Sequence, residues 1–226
     1  AAEVWILPLA DDSESMTVAK GTIKVTSQAS ETGVISLYIA GIRVQMTVLA
    51  TDTPVQIAAA MVAAISKKTD LPVTAAVKSD ATDTVELTAK NAGLLGNGID
   101  IRLNYLGTQG SEVTPAGLSL TITAMSGGAG APDFVDALGN LQDKTFDFIV
   151  NPYDDTASLD AMKAFLNDAS GRWAWDKQLY GHAFGTTSGT YAELGTKGEA
   201  RNNQHETLLG VYRSPTPRYI WSAALV

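Results

Sequence analysis

All four Trp and all five Phe of this 226-residue chain lie outside residues 19–126. Of the seven Tyr, only Tyr38 and Tyr105 fall inside that stretch. Charge breaks at the same two points. Residues 19–126 carry eight basic and eight acidic side chains, residues 1–18 carry four acidic and no basic ones, and residues 127–226 carry twelve acidic and eight basic ones. Two sharp breaks predict a discontinuous domain, residues 1–18 with 127–226, and a second domain, residues 19–126, inserted into it. Linker-like sequence stands at both breaks: Asp11-Asp12-Ser13-Glu14-Ser15, and Ser126-Gly127-Gly128-Ala129-Gly130-Ala131-Pro132.

The inserted stretch reads as antiparallel β. Segments 21–27, 33–40, 42–49, 71–78, 83–90, 99–106 and 118–125 alternate apolar and polar residues and are rich in Val, Ile and Thr. Ala40-Gly41 marks a hairpin turn. One helix interrupts the strands. Thr53 caps it, Pro54 takes the first helical position, Gln56 completes a capping box, and Ile57, Met61, Ala64 and Ile65 share a face. The pattern predicts a sandwich-like domain carrying one helix.

The flanking stretches alternate strand and helix instead. Strands are expected at 4–9, 145–153, 179–185 and 208–213, and helices at about 132–142, 156–170, 190–204 and from 219 on, with Asp133 or Ser158 opening helices. That order implies right-handed crossovers and a mainly parallel, Rossmann-like sheet.

Composition excludes several functions. With a net charge of −8 and a pI near 4.7, the chain lacks the clustered Lys and Arg that nucleic acid requires. It has no cysteine, hence no disulfide, thiolate metal site or Cys nucleophile, and a cytoplasmic origin is favoured. No apolar run approaches the ~20 residues that span a bilayer, so no membrane partner is expected. The sequence begins Ala1-Ala2-Glu3 without Met and stops in the apolar Ala223-Ala224-Leu225-Val226, as expected of an interior fragment.

Five places invite chemistry. The stretch 87–105 holds Gly93, Gly96, Asn97 and Gly98. A phosphate-binding Walker loop needs a following Lys, and a dinucleotide fingerprint must open a helix; here a strand-like segment follows. These residues are expected to form a structural turn that supplies positive φ angles. "GTTSGT" at 185–190, with Asp154 or Asp155 and then His182 before Ser188, has the Asp–His–Ser order of subtilisin-like hydrolases. Yet His182 and Ser188 are expected on one strand, too close in sequence for a triad. His182 and His205 are too few for a zinc site, and Glu206 beside His205 makes no H-E-x-x-H motif. Asp11, Asp12 and Glu14 lack the spacing of a calcium loop. Trp173 and Trp175 are placed to share a face as core or subunit contact. No catalytic residue, metal ligand or cofactor site emerges.

A family resemblance follows from the order of several segments. "PVQIAAAMVAAI", "DLPVTAAV" and "VELTAKNAGLLGNGIDIRLNY", then "GGAGAPDFVDALGNLQDKTFDFIVNPYDD", "GRWAWDKQLYGHAF" and "NNQHETLLG", together resemble contractile phage tail sheath proteins of the Mu type. The resemblance implies a subtilisin-like α/β core with an outward-facing β insertion. It implies a non-enzymatic virion protein, assembled in the host cytoplasm, whose partners are other sheath subunits, the tail tube and the baseplate. Such subunits polymerise around the tube and contract to drive it through the host envelope, in phages, prophages and tailocins alike. In this family, terminal arms link subunits and a C-terminal domain meets the tube, so the present stretch alone is expected to be monomeric. The rival readings are a subtilisin-like hydrolase acting through Ser188 and a carbohydrate-binding module, the latter disfavoured by the scarcity of rings in 19–126.

Overall fold

The computed structural model describes residues 3–9 and 15–226. The chain divides into two compact units. A β unit comprises Met16–Ala129 with Pro215–Pro217, and an α/β unit comprises the described residues among the first fifteen, Gly130–Ser214 and Arg218–Val226.

The β unit contains β1 (Val18–Ser27), β2 (Gly33–Ile39), β3 (Ile42–Val48), α1 (Pro54–Ser66), β4 (Val73–Lys78), β5 (Ala81–Ala92), β6 (Ile101–Leu103) and β7 (Ser119–Ser126). These form two antiparallel sheets, ordered β4-β5-β1-β7 and β3-β2-β6. In β1, Ala19, Gly21, Ile23 and Val25 are buried while Lys20, Lys24 and Thr26 face water, the period-two pattern of a half-buried strand. The hairpin between β2 and β3 turns at Ala40 (φ 53°) and Gly41 (φ 79°), the left-handed pair that matches strand twist. The Thr53 hydroxyl accepts from the Gln56 N–H while the Gln56 side chain accepts from the Thr53 N–H, a complete capping box, with Pro54 inside it. Ile57, Ala58, Met61 and Ile65 of α1 enter one core with Ile23, Leu37, Val44, Val85 and Leu87 from both sheets and with Leu71 just before β4. Burying side chains the size of Ile57, Met61 and Ile65 stabilises by roughly 2–3 kcal/mol each. β6 is shorter than the alternation of 99–106 predicts, because Asn104 takes a left-handed φ of 50° and ends the ladder with β2.

The α/β unit contains α2 (Phe134–Gly139), β8 (Phe148–Asn151), α3 (Thr156–Leu166), β9 (His182–Ser188), α4 (Tyr191–Arg201), β10 (Glu206–Val211) and α5 (Arg218–Ala224). Its sheet is parallel, in the order β10-β9-β8. Phe134, Leu138, Met162, Leu166 and Ala183 form its core, joined by Leu7, Leu9, Ile149 and Trp173.

Three expectations are corrected in this unit. Val4–Leu9 pairs with no strand: Leu7 and Leu9 pack on the core, but Val4 and Ile6 are 81% and 85% exposed. A strand needs a partner edge, and Pro8 offers no N–H to one. β9 begins at His182, three residues later than the pattern suggests, since the Leu179 N–H is engaged by the Arg172 carbonyl. Asp155, not Ser158, caps α3; its carboxylate accepts the Ser158 N–H at 2.9 Å. Asp133 caps α2 as expected.

Candidate functional site

Parallel sheets hold ligands at the carboxyl ends of their strands. At that end of β8 and β9 stands the one strongly coupled carboxylate of the candidate triad, Asp154. Its Oδ2 accepts from Thr187 Oγ1 at 2.7 Å and from Lys197 Nζ at 3.0 Å, and its Oδ1 meets the Arg218 guanidinium. Lys197 Nζ also donates to the Asp154 carbonyl and to Thr187 Oγ1. Burial pushes the Asp154 carboxyl up, but the Arg218 charge and the bonds from Thr187 and Lys197 outweigh it and hold the group below its usual range. The ionised form is thus the favoured one, with three side chains on its two oxygens. It ties the β8–α3 connection, β9, α4 and α5 together.

The hydrolase reading fails on this geometry. His182 opens β9 and Ser188 closes it, so about 20 Å of strand separates them. His182 Nε2 lies 2.8 Å from Thr207 Oγ1, and Asp155 is a helix cap. The Asp–His–Ser order is therefore not a triad in space.

The two histidines, 23 positions apart, sit on neighbouring backbone: the Ala183 N–H donates to the His205 carbonyl at 2.9 Å. His205 is buried, its Nε2 lies 3.0 Å from Asp168 Oδ1, and its ring stacks on Trp173 at 4.3 Å. His182 lies against Phe184, and burial, reinforced by His205, pushes its pKa below the ordinary value despite the opposing pull of Glu206. Among the described residues no group of three or more His, Cys, Asp or Glu is arranged to hold a metal ion. Asp11, Asp12 and Glu14 lie outside the described residues.

Trp173 and Trp175 stand in a turn rather than a strand, so they do not share a face. Trp173 is half-buried and donates to the Gly181 carbonyl; Trp175 is 84% exposed. The carbohydrate reading has no platform in the β unit, whose two rings pack on each other at 5.6 Å. Tyr38 donates to Glu112 Oε1 at 2.5 Å, and Glu112 also takes the Leu106 N–H and Arg43. This buried carboxylate was invisible in sequence: a lone Glu in a polar loop carries no local mark.

Gly93, Gly96, Asn97 and Gly98 lie between β5 and β6, and residues Leu94–Gly98 make a 3-10 turn. Backbone φ is positive at Gly93 (103°) but at neither Gly96 nor Gly98. Gly96 is instead buried by close packing. The Asn97 side chain bonds both polar groups of Gly128.

Ion pairs, capped helices and stacked rings knit together an α/β unit with a parallel sheet, beside a β unit of two antiparallel sheets. Residues 127–226 match the family model described as the phage tail sheath protein central domain. Over 222 residues, 98% of this chain, the sequence is 37% identical to the Mu-like prophage FluMu tail sheath protein of Haemophilus influenzae (strain ATCC 51907 / DSM 11121 / KW20 / Rd). The chain spans 44% of that relative's length. These matches place the chain in the phage tail sheath family.

Proposed function

We propose that this chain is part of a subunit of a contractile tail sheath, which polymerises with its own copies around a tail tube and contracts to drive the tube through the host envelope for genome delivery. The observation that carries this is the 37% identity to a prophage tail sheath protein, which runs through 98% of the chain and so through both units. In this reading residues 1–18 and 127–226 form the sheath core, of Rossmann-like or subtilisin-like type, and residues 19–126 form its outward-facing insertion. Three parallel strands alternating with helices support the first assignment. The partners are other sheath subunits, the tube protein and the baseplate, in a virion tail assembled in the host bacterial cytoplasm.

The protein acts without catalysis. Its work is stored in alternative subunit interfaces, a bistable element in the sense used for other switching assemblies. Negative-stain electron microscopy of the protein expressed from its complete gene tests the proposal. Tubes or contracted polysheath are the expected result, with this chain alone remaining monomeric by light scattering. A complete protein that stays monodisperse at high concentration would overturn it.

A further inference from the structure

β1 and β7 are antiparallel neighbours, with Lys20 opposite Ser126 at one end of their ladder. The segments leading into β1 and out of β7 therefore leave from the same end of the β unit. A pull that parts those segments loads the β1–β7 hydrogen bonds one after another, as in a zipper, because ladder bonds lie across the strands. Such an arrangement opens easily unless its mouth is held.

The mouth is held by a separate set of bonds. Thr17 N donates to the Ala129 carbonyl at 3.0 Å, and Ala129 N to the Thr17 carbonyl at 3.3 Å. Thr17 Oγ1 donates to the Gly127 carbonyl at 2.7 Å. The Asn97 carboxamide then spans Gly128, donating from Nδ2 to its carbonyl and accepting its N–H at Oδ1, each at 2.8 Å. A primary amide facing a peptide group in this way reproduces both bonds of a ladder pair. Gly93 N adds a bond to the Thr17 carbonyl at 2.9 Å, so the same turn grips both segments.

The glycines make this approach possible. Gly93 has φ 103° and ψ 179°, a region open to glycine almost alone. A Cβ on Gly96 would lie 2.9 Å from Ala19 Cβ and 3.1 Å from Ala89 Cβ, so its absence lets the turn press against β1 and β5. A Cβ on Gly128 would lie 2.5 Å from the Gly93 carbonyl oxygen.

We propose that the Leu94–Gly98 turn is a clasp: Asn97 and Gly93 lock the incoming segment at Thr17 to the outgoing segment at Gly127–Ala129, and keep the mouth of the β unit closed when the rest of the chain pulls on it. The clasp belongs to the chain itself and does not depend on the sheath reading.

Hydrogen exchange of the intact chain, read by mass spectrometry, tests it. In Asn97→Ala, peptides covering residues 15–19 and 126–131 exchange about tenfold faster or more, as expected when two local bonds are lost. Peptides in the middle of β5 and in α1 keep their wild-type rates. The control Ile23→Val trims a fully buried side chain in the middle of β1 and speeds the most protected amides of the unit without singling out the mouth. Thr17→Val removes only the bond to Gly127 and opens the same two segments by a smaller factor, which keeps the test usable if Asn97→Ala does not fold. Wild-type rates at the mouth in Asn97→Ala, or an equal acceleration of every amide in the β unit, would overturn the clasp.

Discussion

Replacing Asp154 by Ala isolates the polar tie at the carboxyl end of the parallel sheet. The substitution removes the acceptor for Thr187 Oγ1 and takes from Lys197 and Arg218 the carboxylate that both pair with. Breaking a fully buried pair from one side costs about 3–5 kcal/mol, whereas exposed pairs contribute about 0–1 kcal/mol. The side chains of Asp154 and Arg218 are 16% and 17% exposed and that of Lys197 is 31% exposed, so the site stands nearer the buried limit. After solvent screening is allowed for, a loss of about 2–3 kcal/mol is expected. With a urea slope of about 2 kcal/mol/M, the midpoint falls by roughly 1–1.5 M. The assay is built into the sequence: all four Trp lie in the α/β unit, so tryptophan fluorescence follows that unit alone. The sign with pH is equally definite. Because the folded carboxyl titrates below its unfolded value, its contribution is present above a pH of about 3.9 and is lost as pH falls through the folded pKa. Asp154→Ala therefore lacks that part of the acid-dependent loss. A Trp-detected midpoint shift worth less than about 0.5 kcal/mol, the size of an ordinary surface change, would refute the reasoning.

Two other predictions concern single residues. His182 has a folded pKa below its unfolded value, so the neutral ring is favoured in the fold and stability declines as pH drops below about 6.5 toward the folded pKa. His182→Gln flattens that slope in Trp-detected unfolding; an unchanged slope would assign it to another group. Thr53→Ala breaks the capping box of α1 and lowers the stability of the β unit by about 1 kcal/mol, measured by far-UV circular dichroism during urea unfolding. The Trp-detected transition of the same variant stays where it was.

Legibility of the fold tracked how local each signal was. The capping box at Thr53, the Pro54 start and the Ala40-Gly41 turn are written within four residues, and the structure carries all three. The alternation of β1 is similarly self-contained. Val4–Leu9 looked like a strand because its composition is apolar, but pairing depends on an edge that the segment cannot specify. The sequence pattern starts β9 too early because "LYG" continues the apolar run, while the fate of the Leu179 N–H is decided by Arg172, seven residues earlier. At its end, Thr186 and Thr187 are buried in a strand although their side chains are polar. The candidate site was the least legible part. Asp154 stands in a catalytic order along the sequence, but its partners Lys197 and Arg218 come from helices 43 and 64 positions later. Asn97 has the local sequence of a turn residue, yet its bonds to Gly128 bridge 31 positions, and nothing near Asn97 announces them.

The central claim, that this chain is part of a self-polymerising sheath subunit, is tested most directly by electron microscopy of the protein expressed from its complete gene. The account predicts hollow tubes or polysheath with a regular helical repeat. A well-folded protein, with both units intact by circular dichroism and Trp fluorescence, that gave only isolated particles across concentration and salt would contradict it.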